Sequence, residues 1–142
     1  MRQRKTLTAT SVFAALVLAG TLGAGSAYAE NYSFEFSNEV KQGEQRAGFT
    51  NKVLVKTAAF TVGALAVNEI KPHRHNDGSH VLYIVSGGGT MMHGDTTITL
   101  KPGMIVYVPV GVAHGIKPDG GDLTLVDFAQ PPFDPNKMEW IK

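Results

Sequence analysis

Cysteine is absent from the 142 residues. The fold therefore holds without disulfides, and no thiol is available for lipid attachment after a leader segment. Charge is sparse: Asp, Glu, Lys and Arg make up only 18% of the chain. Beyond residue 5 there is no basic run, which argues against a nucleic-acid partner. No Ser-His-Asp set, phosphate-binding glycine loop or catalytic carboxylate pair stands out. Internal repeats, low-complexity linkers and sustained helical stripes are missing from residue 30 onward, so a solenoid or a helical bundle is not expected.

What is present begins at the amino end. Arg2, Arg4 and Lys5 precede an apolar run through "SVFAALVLAG", which closes on Ala27-Tyr28-Ala29. A positive start, an apolar stretch and a small-x-small site form the pattern of a secretory signal peptide. The alternative is a membrane anchor, but glycines interrupt the run and no basic residue stops it on the far side. The expectation is a signal peptide over residues 1–29, export as an unfolded chain, and a periplasmic or secreted domain over 30–142 with no membrane attachment. Removing Arg2, Arg4 and Lys5 leaves ten basic residues against twelve acidic, a net charge of −2 with histidines neutral. One modest core is what about 110 residues can bury.

Residues 30–50 are polar and without a clear period. From Val53 the chain reads as short strands between turns: "KVLVKTAAFTVGALAV", "HVLYIVSG", "TTITL" after Gly94-Asp95, "MIVYVPV" after Pro102-Gly103, and "DLTLVDFA" after "PDGG". Strands at intervals of roughly ten residues predict an all-β sandwich or barrel rather than a βαβ fold.

Three of the five histidines fall within "HRHNDGSH". On an extended strand, His73 and His75 share a face. A turn around Gly78 allows His80, at the start of the next strand, to point back at them. His114 follows "PVGVA", whose Pro109 and Gly111 suit a turn that brings it to the same face. Surface histidines are the plain alternative, but this clustering favours a metal site, imidazole being the commonest transition-metal ligand. His93, beside a turn, reads as exposed. Met91 and Met92 point to opposite faces and read as packing. Leu82, Ile84, Val106 and Val108 share the inward phase and are expected to line the pocket, with Tyr107 facing away. Phe128, Phe133 and Trp140 read as core or subunit contacts rather than a substrate platform.

The segment 71–115 resembles the cupin superfamily. Its first motif, G-x5-H-x-H-x3,4-E-x6-G, is approximated by "HRHNDGSHVLYIVSG", with His73, His75 and Gly87 in register. Its second, G-x5-P-x-G-x2-H-x3-N, is approximated by "GMIVYVPVGVAHGIKP", with Gly103, Pro109, Gly111 and His114 in register. "FAQPPFDP" is similar to the ending of many small cupins. Val67 and Pro118 stand where the motifs have Gly and Asn, and His80 stands where they have Glu. The resemblance implies a small antiparallel β-barrel (cupin or jelly roll) holding one divalent transition metal ion (Mn, Fe, Cu, Ni or Zn) in a four-histidine variant of the site, His73, His75, His80 and His114.

Four neutral ligands would leave the ion its full charge and favour an anionic substrate. Six-coordinate Mn, Fe or Ni would keep two positions open, whereas tetrahedral Zn would be closed and inert. Two functions follow: a metal-dependent oxygenase or related enzyme on a small oxygen-bearing molecule, or a non-catalytic metal- or ligand-binding protein. A homodimer is expected for so small a disulfide-free domain. A three-histidine site, with His80 behind it as a proton carrier, is the fallback.

Overall fold

A computed structural model describes residues 33–142; the segment read as a signal peptide lies outside them. No helix among the described residues is long and apolar enough to cross a membrane. A short helix α1 (Phe36–Glu39) and a 3-10 turn (Val40–Gln42) precede eleven strands: β1 (Glu44–Gln45), β2 (Phe49–Lys56), β3 (Thr61–Val67), β4 (Ile70–His75), β5 (Ser79–Ser86), β6 (Gly89–His93), β7 (Thr96–Leu100), β8 (Ile105–Val108), β9 (His114–Pro118), β10 (Leu123–Gln130) and β11 (Met138–Trp140). Each run read as a strand from the sequence is extended. The run from Val53 is two strands, folded back at a turn where the Thr57 hydroxyl accepts the N–H groups of Ala59 and Phe60.

The expectation of a closed barrel needs correction. The strands form two antiparallel sheets, β1-β2-β3-β10-β5-β8 and β11-β4-β9-β6-β7, and no strand pairing joins them. The result is a double-layered β fold with open edges. Its core draws on both layers: Leu65, Val67, Leu82, Ile84, Val106, Val108, Leu123 and Leu125 from the first, and Ile70, Met91, Leu100 and Ile116 from the second. Full burial of such side chains contributes about 1.5–3 kcal/mol each, and in a chain without cross-links this must offset the chain entropy.

Polarity is graded along the strands. On β5 the inward row runs His80, Leu82, Ile84; on the antiparallel β10 it runs Ala129, Asp127, Leu125 opposite the same residues. In the other sheet His73 of β4 lies opposite His114 of β9, and Ile70 opposite Ile116. One end of the space between the sheets is therefore imidazole-rich and the other aliphatic.

Candidate metal centre and adjoining cavity

Strand alternation places His73 and His75 inward on β4, both buried, with Arg74 between them facing out. The turn after β8 delivers His114. Gly111 in that turn has φ +76°, a left-handed conformation that favours glycine, and its N–H donates to the His75 carbonyl at 2.7 Å. The turn that carries one histidine is thus tied to the strand that carries the other two. Gly115 completes the approach: a Cβ there would stand 2.9 Å from the Ile70 carbonyl oxygen, so only a bare backbone lets β9 lie this close to β4.

One ring nitrogen from each of His73, His75 and His114 falls within 4.8 Å of the others, and no further group of this kind occurs among the described residues. The His73 Nδ1–H donates to the Lys71 carbonyl at 2.9 Å, and the His114 Nδ1–H to the Val112 carbonyl at 2.9 Å. These bonds fix the tautomer and leave the Nε2 lone pairs free, which is the arrangement a metal-binding imidazole requires. Burial, reinforced by the neighbouring imidazoles His80, His73 and His114, lowers His75 to about 3. Burial and then His73 lower His114 to about 3. His73 is also lowered, mainly by burial, with the Lys71 carbonyl bond opposing. Neutral and converging, with His73 and His114 oriented by these bonds, the three side chains suit a divalent transition metal.

The four-histidine site is not what forms. His80 lies outside the cluster: its ring centroid is 4.2 Å from that of His75 but 6.4 Å from that of His114. Its Nδ1–H donates instead to the Asp127 carboxylate at 2.8 Å. The physical reason is register. Ala129 of β10 is the direct partner of His80, so Asp127, two residues along the same face, meets the ring diagonally. A carboxylate aimed at Nδ1 holds the imidazole more strongly than a neutral acceptor would. The pair is largely shielded, with the two side chains 7% and 17% exposed. The sequence gives no local sign of Asp127 as a partner of the site, since it lies 47 residues from His80.

These groups line a cavity of about 60 Å³. Leu82 lines it too; Ile84, Val106 and Val108 are buried in the aliphatic core and are not among its lining residues. Phe133, read as a core or subunit contact, is in fact on the cavity wall, its ring 5.6 Å from His75 and 6.0 Å from His80. Trp140 lies 5.5 Å from His73, whereas Phe128 stacks on Phe60. Tyr107 is exposed, as the strand phase predicts, and of the two methionines Met91 is the fully buried one. His93 is partly buried, its ring nitrogen bonded to the Tyr107 carbonyl at 2.9 Å.

Comparison with known proteins agrees with this architecture. Residues 64–128 match the family model described as a cupin domain. An uncharacterised protein of Streptomyces coelicolor is 32% identical over 73 residues, which is 51% of this chain and 67% of that protein. A conserved Klebsiella pneumoniae protein with a double-stranded β-helix domain superposes with a TM-score of 0.68 at 20% identity, over 80% of this chain and 99% of that one. Streptomyces Pac13, described as a nucleoside dehydratase, superposes with a TM-score of 0.62 at 18% identity, over 79% of this chain and 92% of its own. At such identities the likeness speaks for the fold. Domain match and fold agree: residues 64–128 match a cupin domain, and the chain has a cupin-superfamily fold.

Proposed function

We propose that this chain is a metal-dependent cupin enzyme that carries out acid–base chemistry on a small, oxygen-bearing organic molecule. The carrying observation is the placement of two unlike imidazole sets in one cavity: the neutral cluster His73, His75 and His114, and His80 bonded to Asp127. The three histidines would hold a divalent transition metal, which when bound supplies Lewis acidity to a substrate oxygen. Asp127 holds His80 with Nδ1 protonated, and leaves Nε2 free to take a proton from a group in the cavity. The imidazolium so formed is stabilised by the carboxylate and can return the proton to a leaving oxygen. Phe133 and Leu82 give the same space apolar walls. Pac13, described as a nucleoside dehydratase and also seen with uridine, makes a hydroxylated substrate and loss of water a reasonable first assay, by analogy of fold only.

An oxygenase remains a second reading. Three protein ligands leave several coordination positions open, which such chemistry needs. The shielded His80–Asp127 pair favours proton transfer as the first. A purely binding role would leave that pair without work.

The experiment is turnover of a panel of nucleosides and sugar acids by metal-loaded protein, with the His80→Ala and His73→Ala variants beside it. Equal turnover by wild type, His80→Ala and metal-stripped protein would overturn the reading. Dioxygen consumption coupled to turnover would select the oxygenase.

Two further parts of the reading stand on the sequence and the surface. The charged start and Ala27-Tyr28-Ala29 support export with cleavage after Ala29, which intact mass of the exported protein tests. Tyr83, Ile105 and Tyr107 are exposed on β5 and β8 and support a homodimer, which light scattering at micromolar concentration tests.

A further inference from the structure

One polar group in the cavity wall is used neither by the histidine cluster nor by the His80–Asp127 pair. Asn51, on β2 opposite Leu65, lines the cavity and also a wider cleft of about 290 Å³ beside it. Phe49, Asn51, Phe133 and Met138 are common to both spaces. Asn51 is the only one of these four with a hydrogen-bonding side chain. Its Oδ1 is buried and has no hydrogen-bond partner among the described residues. A buried acceptor left unpaired is destabilising, and a leucine of similar size would avoid that cost.

Gly63 makes the placement of Asn51 feasible. It stands on β3 directly opposite Asp127 of β10. A Cβ at this position would fall 2.6 Å from Asn51 Oδ1. The missing side chain therefore lets the amide lie across β3, over the residue that faces Asp127 on the next strand. A backbone gap and an unpaired acceptor coincide at the junction between the cavity and the cleft.

We propose that Asn51 determines ligand specificity: its Oδ1 accepts a hydrogen bond from a hydroxyl of a small polyhydroxylated ligand that spans the junction. This rests on the reading of the cavity as an active site. The size of the spaces fits such a ligand. The cavity has room for a group of a few atoms, and the body of the molecule lies in the cleft against Trp140 and Val53, within reach of Arg46 and Lys56. Selection follows because an analogue without the hydroxyl would bury the same acceptor unpaired.

The test uses the full metal-loaded chain with uridine, ribose and myo-inositol as hydroxylated probes and 2′,3′-dideoxyuridine as a hydroxyl-poor one. Binding is read by saturation-transfer NMR and titration, with Tm and metal content measured in parallel. The expected result is that wild type binds at least one hydroxylated probe and prefers uridine to its dideoxy analogue. Asn51→Leu weakens binding about tenfold, the equivalent of one lost hydrogen bond, while its metal content stays unchanged and its Tm equals or exceeds that of wild type. Gly63→Ala weakens binding in the same way. A lower Tm in Asn51→Leu with unaltered binding would make Asn51 a structural residue and overturn the proposal, as would binding of none of the hydroxylated probes by wild type. If Asn51→Leu does not fold, Asn51→Ala carries the same comparison. Failure of the wild type to retain metal would defeat the metal-centred reading instead, and the probe-binding arms would still judge Asn51.

Discussion

The two walls of the cavity use the same side chain in opposite ways. On the β4–β9 wall, His73 and His114 turn their Nδ1–H groups to backbone carbonyls, which orient the rings without giving them a counter-charge. On the β5–β10 wall, His80 turns the same nitrogen to a carboxylate, which stabilises the ring when it carries a proton. An imidazole held by a carbonyl is suited to donate a lone pair. One held by an acid is suited to move a proton. The partner of the far nitrogen, rather than the histidine itself, divides the labour.

That contrast is open to direct attack. The largest effect is expected from His75→Ala or His114→Ala, which remove a donor from the cluster. Metal affinity should fall by more than the roughly 10–100-fold typical of losing an outer hydrogen-bond partner, while His80→Ala should retain metal close to stoichiometry. Elemental analysis after dialysis separates the two, and a parallel loss in His80→Ala would erase the distinction between the walls. Next is Asp127→Asn, which keeps an oxygen acceptor in place and removes the charge. Turnover should drop by about 10²–10⁴, the usual worth of a positioned acid or base, with metal content within about tenfold of wild type. Steady-state kinetics on the metal-loaded variant would decide it.

Acid should reveal the neutral wall in the metal-free protein. His75 and His114 are held near 3 in the fold, against 6.5 as ordinary imidazoles. As pH falls below about 6.5 the unfolded chain takes up protons that these folded rings refuse, so stability is complete above that pH and declines progressively toward about 3. Denaturant titrations at pH 7.5 and pH 5 should give a lower midpoint at the acid value; equal midpoints would deny the burial of these rings. The smallest effect concerns the outer strand. Arg74 makes two hydrogen bonds to Glu139 of β11, at 2.9 and 2.6 Å, and Asn76 adds a third at 2.8 Å. These bonds, led by that with Arg74, hold the Glu139 carboxyl down at about 2. The residues are exposed, so Glu139→Ala should lower Tm only slightly, and a large loss would mean that β11 contributes more to β4 than surface ion pairs do.

Much of the three-histidine wall is legible in the sequence. Histidines two apart on a strand must share a face, and a Pro-x-Gly turn before His114 announces a chain reversal. Both are short-range features. The other wall was not legible, because His80 and Asp127 are 47 residues apart and meet through the register of β5 against β10. Nothing in "LTLVDFAQ" distinguishes an inward acid from an outward one, since register is settled by how the whole inward row packs. His80 reads as a ligand because it follows the turn at Gly78 and stands where the motif has Glu, and the sequence gives no local sign of its partner Asp127. Phe133 is hidden for a related reason: "QPPFDP" has no strand period from which to infer its direction. The open sheets were equally hidden, because strand spacing predicts the number of strands and not whether the first and last pair.

The single tryptophan of the chain stands 5.5 Å from the His73 ring. All indole emission from this protein therefore originates beside the histidine cluster. Loading with Cu or Ni should quench it by energy or electron transfer, whereas spectrally silent Zn should shift it only through changes in local polarity. The protein thus carries its own optical gauge of occupancy, and the sign and depth of that signal would sort candidate ions without a label or a known substrate.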